Sequence, residues 1–115
     1  MTVMNIVLLS ALVGFYLWRA YKFKNVRQKI PDYMSRGAII IDVRTPAEFI
    51  AGHAQKSINI PIQDLQKRMK SLDPEKPIIL CCASGSRSAI ATRIFTNGGF
   101  KEVLNAGPWK NVRGL

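Results

Sequence analysis

Short apolar runs alternate with helical patterns along most of this sequence, and the alternation restricts the possible folds more than any other feature. Four runs have the composition of buried strands: 38–43, 57–60, 78–81 and 102–105. Three segments between them have helical patterns: 45–49, 64–72 and 88–97. Strands that alternate with helices are typical of βαβ units. The 115 residues suffice for one such domain plus an appendage, so the sequence predicts an α/β fold with a mostly parallel central sheet flanked by helices.

The first of these helices has a clear start signal in the segment TPAEF. Thr45 is a residue type that caps a helix N-terminus, and Pro46 suits the first helical position because its fixed backbone angle matches a helix. Glu48 lies three residues after Thr45 and completes a capping box. We therefore expect a helix to begin at Pro46, directly after the first strand.

The first 18 residues contain no charged side chain. As a helix they would span roughly 27 Å, at about 1.5 Å per residue, which nearly matches the hydrocarbon core of a bilayer. Two other interpretations are a cleaved signal peptide and an apolar helix buried in the domain core. A signal peptide has basic residues before its apolar run, whereas here they follow it. We predict a transmembrane helix at 1–20, a basic juxtamembrane segment at 21–30 and the globular domain at 31–115.

The charge distribution supports this interpretation. The net charge is +10, and five of the 17 lysines and arginines, but none of the seven acidic residues, occur within 19–30. The rest of the chain has no basic stripe interleaved with aromatic residues, so we expect no nucleic-acid partner. By the positive-inside rule, the basic segment and the domain face the cytoplasm. The sequence therefore predicts a single-pass anchor in the cytoplasmic membrane, with the N-terminus facing outward.

Both cysteines are adjacent in the sequence, and there is one histidine. Adjacent cysteines cannot join distant parts of a fold, and no second cysteine pair or histidine cluster is available for a zinc site. We therefore expect a reactive cysteine, with no metal and no organic cofactor.

The segment CCASGSR (81–87) connects a predicted buried strand to a helix N-terminus. The first turn of a helix leaves backbone N–H groups unpaired and concentrates positive dipole, which makes this position a ready anion site. Gly85 lets the loop curl so that N–H groups converge, and Ser84 and Ser86 add hydroxyl donors. Arg87 adds a cation. This environment would lower the pKa of a cysteine at the floor of the loop and make it nucleophilic near neutral pH.

The number of residues between each cysteine and Arg87 helps to decide which cysteine reacts. Cys81 continues the apolar strand and is expected to pack in the core, whereas Cys82 begins the loop and the pattern C-x-x-G-x-R that ends at Arg87. Counted from Cys81, the spacing is the C-x5-R of cysteine phosphatases and arsenate reductases. Gly85 then falls one residue late, no histidine precedes the nucleophile, and no acid for the leaving group is evident. The residues favour Cys82, and a phosphatase or arsenate reductase that uses Cys81 is the alternative.

Six segments within about 38–107 together resemble the single-domain rhodaneses, the thiosulfate sulfurtransferase family, and most closely their small bacterial phage-shock type: DVRTPAEF, GH, SINIP, CCASGSRSA, GGF and VLNAG. The resemblance implies a rhodanese-like three-layer fold and a six-residue active-site loop from Cys82 to Arg87. It also implies that Cys82 takes a sulfane sulfur from a donor such as thiosulfate. The sulfur would be held as a persulfide and passed to cyanide or a thiol.

The resemblance also implies roles for the residues around Cys82. Backbone N–H groups of the loop would bind the outer sulfur of the persulfide: Ala83, Ser84, Gly85, Ser86 and Ser88. Arg87 would position the sulfonate oxygens of the donor. Asp42 and Arg44 of the segment DVR are expected to brace the loop or shape its entrance, and Arg44 to bind anions as well. A further possibility is non-enzymatic: a sulfur carrier or docking module for a membrane partner, which the sequence does not name.

Overall fold

The computed structural model describes residues 2–115, with the side chains of all of these except residues 22–24. The elements occur in this order: α1 Val3–Ser35, β1 Ile39–Asp42, α2 Pro46–Ala51, β2 Ser57–Asn59, a 3-10 helix Ile62–Asp64, α3 Leu65–Met69, β3 Ile78–Cys82, α4 Ser86–Asn97, β4 Val103–Pro108 and a 3-10 helix Trp109–Val112. The strands form one parallel sheet in the order β2-β1-β3-β4. This arrangement confirms the predicted α/β fold with a parallel sheet flanked by helices.

Several element bounds differ from the predicted ones. The strand predicted to end at residue 81 includes Cys82, because β3 pairs with β4 as far as Pro108. α4 begins at Ser86, two residues before the predicted start, because Gly85 has a left-handed backbone conformation (φ 102°) that ends the loop there. The helix predicted at 64–72 is shorter, a 3-10 turn followed by the five residues of α3. The predicted start of α2 is confirmed, with both hydrogen bonds of the capping box present.

Apolar side chains on the two faces of the sheet form two core clusters. The first consists of Ile41, Val43, Ile60, Leu65, Ile78, Leu80, Cys82, Ala91, Phe95 and Phe100, and so includes residues of α3 and α4. The second consists of Ile30, Ile40, Ala54, Ile79, Cys81, Leu104, Ala106 and Val112. Successive residues of a strand point to opposite faces of the sheet, so the two adjacent cysteines belong to different clusters.

The C-terminal part of α1 covers the second face of the sheet. Ile30 is only 3% exposed, and Val26, Tyr33 and Met34 pack around the same cluster. These four positions follow the i, i+4, i+7, i+8 spacing of one helix face, which explains why this stretch packs on the sheet. α1 has no break at residue 20 or 30, where the sequence analysis placed segment boundaries.

The N-terminal part of α1 lies outside the core. Side chains at positions 2–21 are exposed, although most of them are apolar. Within the part of the chain that the structure describes, α1 is the one helix long and apolar enough to cross a membrane, and none of its apolar stretch is buried. This exposure argues against the interpretation of the stretch as a core helix of the domain.

The packing of α1 gives a testable difference between its two parts. Ile30→Ala should lower the free energy of unfolding by about 2–5 kcal/mol, because it leaves a cavity against the sheet. Leu12→Ala, at a position 67% exposed, is the matched control and should leave the stability of the domain unchanged. Urea unfolding of full-length protein in detergent, followed by circular dichroism, measures both. Equal stability of the two variants would show that α1 does not form part of the core.

Candidate active site

The candidate site lies where β3 ends and α4 begins, beside the carboxyl ends of the neighbouring parallel strands. Gly85 occupies the cap position of α4 in the left-handed region, which L side chains rarely adopt, so glycine is needed there. This conformation turns the Gly85 amide back toward the strand, and its N–H donates a hydrogen bond to Cys82 Sγ at 2.9 Å. The local backbone thus surrounds the sulfur of the last residue of β3.

Hydrogen bonds change the acidity of the Cys82 thiol. The side chain is fully buried, and burial alone would raise its pKa. The Ser88 hydroxyl, 3.3 Å from Sγ, and the backbone amides of Ser88, Gly85 and Ser84 act in the opposite direction. These contacts outweigh burial, so the pKa of Cys82 lies below its ordinary value. The arrangement therefore favours a thiolate at this position.

Cys81 has the opposite environment. Its side chain is fully buried on the other face of the sheet, in the second core cluster, as the sequence predicts. Burial, together with the nearby carboxylate of Asp42, raises the pKa of the Cys81 thiol well above its ordinary value. Cys81 is therefore not placed to act as a nucleophile, and the geometry disfavours the phosphatase or arsenate reductase alternative.

A side chain from β4 that is not among the predicted site residues contacts Ser88. Asn105 Oδ1, 2.6 Å from Ser88 Oγ, shares the single hydroxyl hydrogen of Ser88 with Cys82 Sγ, and it accepts a further hydrogen bond from the Gly107 amide at 2.9 Å. The pairing of β3 with β4 shifts by one residue at this point, so that Ala106 is an extra residue in β4. The signal in the sequence was a polar residue near the carboxyl end of a strand that adjoins the loop.

Glu48 has a second role besides capping α2. Its two carboxylate oxygens accept hydrogen bonds from the two terminal nitrogens of Arg87, at 2.7 and 3.0 Å. The Arg87 guanidinium is the main reason that the pKa of Glu48 falls to about 2. This bidentate pair joins the first turn of α4 to α2. Arg87 is predicted to position the sulfonate of the donor, but in this structure both of its terminal nitrogens contact a carboxylate.

Asp42 and Arg44 form a buried ion pair at the carboxyl end of β1. Arg44 donates from Nε and Nη2 to the Asp42 carboxylate at 2.8–3.0 Å, and Nη2 also donates to the Gly52 carbonyl at 2.7 Å. The Arg44 guanidinium lies 5.1 Å from the ring centroid of Trp109. The side chain of Arg44 is 6% exposed and its guanidinium hydrogen bonds go to Asp42 and Gly52, so the geometry disfavours the expected contact with an anion.

The remaining loop residues are at the protein surface. Ala83, Ser84 and Ser86 are exposed, and the hydroxyls of Ser84 and Ser86 are 3.3 Å apart. These hydroxyls and the loop amides are hydrogen-bond donors suited to a small anion near Cys82. Among the described residues, no three His, Cys, Asp or Glu side chains lie close enough together to hold a metal ion.

The role of Ser88 can be tested through the acidity of Cys82. Ser88→Ala removes the hydroxyl that contacts Sγ and should raise the pKa of Cys82, because the sulfur loses one of the contacts that lower it. The pH dependence of the rate of alkylation by iodoacetamide measures this pKa. Ser86→Ala is the control, because its hydroxyl contacts Ser84 and not the sulfur. An unchanged pKa in the Ser88 variant would contradict the proposed contact.

Several known proteins are similar to this chain. The chain is 37% identical to the uncharacterised protein YqhL of Bacillus subtilis over 94 aligned residues. The alignment covers 82% of this chain and 75% of YqhL. It is 34% identical to the thiosulfate sulfurtransferase PspE of Escherichia coli over 74 residues, an alignment that covers 63% of this chain and 71% of PspE. A solved structure described as a rhodanese with anions from E. coli matches with a TM-score of 0.62 and 31% identity. The match covers 66% of this chain and 92% of that structure's chain. Residues 24–110 match the Rhodanese-like domain family, and the chain therefore belongs to that family.

Proposed function

We propose that this protein is a sulfurtransferase that carries sulfane sulfur as a persulfide on Cys82. The observation that carries the proposal is the convergence of the Gly85 amide and the Ser88 hydroxyl on Cys82 Sγ, at 2.9 and 3.3 Å. Similar proteins that are named thiosulfate sulfurtransferases, PspE and GlpE, support the same chemistry at 34% and 30% identity. The sulfur donor is thiosulfate or a similar anion, and the acceptor is cyanide or a thiol.

In the loading step, the Cys82 thiolate attacks the outer sulfur of thiosulfate. A new S–S bond forms at Sγ, the S–S bond of the donor breaks, and its electron pair leaves with sulfite. The negative charge then lies on the outer sulfur of the persulfide, where the loop amides stabilise it. Cys82 is fully buried, so the residues around its sulfur must shift for the donor to reach it.

Arg87 and the loop hydroxyls complete the donor pocket. Arg87 lies at the start of α4, and its charge, shared with Glu48, attracts the sulfonate oxygens of thiosulfate. The hydroxyls of Ser84 and Ser86 are further donors for these oxygens. Asp42 and Arg44 brace the carboxyl end of β1 beside the loop.

Unloading reverses the chemistry: cyanide or a thiolate attacks the outer sulfur, and the electron pair of the persulfide bond returns to Cys82.

We also propose that the exposed part of α1 anchors the protein in the cytoplasmic membrane. Its apolar stretch is unburied in the domain, and basic residues follow it directly. The positive-inside rule then places the domain in the cytoplasm. A reporter enzyme fused after Leu115 tests this topology: a cytoplasmic reporter should be active, and activity only of a reporter that requires export would refute the placement.

Turnover of defined substrates tests the proposed reaction. Protein incubated with thiosulfate and cyanide should produce thiocyanate and sulfite in equal amounts, whereas an aryl phosphate should not be hydrolysed. Phosphate release without thiocyanate would support the phosphatase alternative instead. Persulfide formation with negligible thiocyanate would indicate a sulfur carrier that passes its sulfur to a specific partner and does not turn over with cyanide.

A further inference from the structure

The course of α1 places its exposed part beside the catalytic loop. α1 leads directly into the start of β1 and packs against the sheet, so its N-terminal part extends toward the carboxyl ends of the strands. The catalytic loop lies at the same edge, after β3. A cavity of about 280 Å³ lies between the two, and its wall includes Phe15, Trp18 and Arg19 of α1 and Ser84, Gly85 and Ser86 of the loop.

The position of this cavity along α1 indicates how far the catalytic loop lies from the membrane surface. Residues 15–19 are the point where the apolar run of α1 meets its basic continuation, with aromatic rings at the boundary. Such a boundary lies at the headgroup level of a bilayer. With the anchor inserted, the catalytic loop therefore lies at the membrane surface.

The walls of the cavity differ in chemistry. On the α1 side, Phe15 and Trp18 present aromatic surface, and both side chains are more than half exposed. Arg19 adds positive charge on the same side. On the loop side, the hydroxyls of Ser84 and Ser86 are exposed donors. The volume lies just below the range of about 300–1,000 Å³ that is typical of small-molecule sites. Aromatic surface, hydroxyl donors and a cationic residue around one small cavity fit a small amphiphile with an anionic head.

We propose that this cavity binds the sulfur acceptor, an amphiphilic thiol that partitions into the membrane surface. The apolar chain of the acceptor contacts Phe15 and Trp18, and its thiolate lies at the loop. The thiolate attacks the outer sulfur of the Cys82 persulfide, and the persulfide bond breaks with its electron pair going to Cys82 Sγ. The acceptor leaves as its own persulfide. This inference rests on the proposed sulfurtransferase function and on the proposed anchor.

Single-turnover transfer from preloaded protein tests the inference. Full-length protein in detergent micelles is loaded with thiosulfate, freed of excess donor, and mixed with octanethiol or with β-mercaptoethanol. The loss of the persulfide is followed by intact mass, and rates are compared per thiolate. We expect octanethiol to react at least tenfold faster, and Trp18→Ala to remove most of this preference without changing the loading by thiosulfate.

Leu17→Ala is the matched control. Leu17 is adjacent to Trp18 and 60% exposed, but it is not part of the cavity wall. It should keep the full preference for octanethiol, because partition into the micelle is the same for both variants. Equal rates for the two thiols, or a preference that both variants keep, would overturn the proposed site. Failure of the sulfurtransferase proposal would appear earlier, as the absence of a persulfide after loading.

Discussion

Replacing Cys82 with serine is expected to lower the rate of thiocyanate formation from thiosulfate and cyanide by about three orders of magnitude or more, as is usual when a nucleophile is removed. A serine hydroxyl at this position has a far higher pKa than the thiol and cannot hold sulfane sulfur as a persulfide. The amides of the loop and the Ser88 hydroxyl remain in place in this variant, so their presence alone will not support turnover.

The neighbouring cysteine provides the control for this experiment. Cys81→Ala leaves the loop unchanged and removes one small side chain from the second core cluster. Its rate should stay within about threefold of the wild-type rate, the range expected for a residue that does not touch the reacting atoms. A variant of Cys81 that is as inactive as Cys82→Ser, while still folded by circular dichroism, would contradict the assignment of the nucleophile.

The second prediction with a large expected effect concerns the buried ion pair and the stability of the fold. Asp42→Ala should lower the free energy of unfolding by about 3–5 kcal/mol, because it leaves the buried guanidinium of Arg44 without its carboxylate. A loss of this size is a large part of the total stability of a small domain. Thermal or urea unfolding in detergent measures it.

Two further variants separate the charge from the packing. Replacing both members of the pair, Asp42→Leu with Arg44→Leu, should destabilise less than Asp42→Ala alone, because no unpaired charge is buried. Glu75→Ala removes the partner of Lys101 from a pair that is mostly exposed, and stability should not change measurably. If the double variant is as unstable as the single one, the lost contacts and not the charge account for the effect.

The sheet and the loop could be predicted because their signals are local. Each strand of the sheet is a short run of apolar residues, and Thr45, Pro46 and Glu48 together mark the start of α2. The spacing C-x-x-G-x-R indicates Cys82 as the reactive cysteine, although Cys82 is the last residue of β3 and not the first residue of the loop. In each case, a few consecutive residues contain the information.

The remaining features depend on contacts between segments far apart in the sequence. Glu48 and Arg87 are 39 residues apart, and Ser88 and Asn105 are 17 apart, so their pairing follows only from the order of the strands. The packing of α1 was missed for a different reason. The apolar residues at positions 26, 30, 33 and 34 already follow a helical stripe, but basic residues between them gave the stretch the appearance of a solvated segment.

The central claim is that the loop amides and the Ser88 hydroxyl surround the sulfur of Cys82 and make it a carrier of sulfane sulfur. Intact mass spectrometry after incubation with thiosulfate tests it most directly. The wild type and Cys81→Ala should each gain one sulfur atom, ~32 Da, which dithiothreitol removes, and Cys82→Ser should gain none. An adduct that forms on Cys82→Ser but is lost in Cys81→Ala would contradict this account.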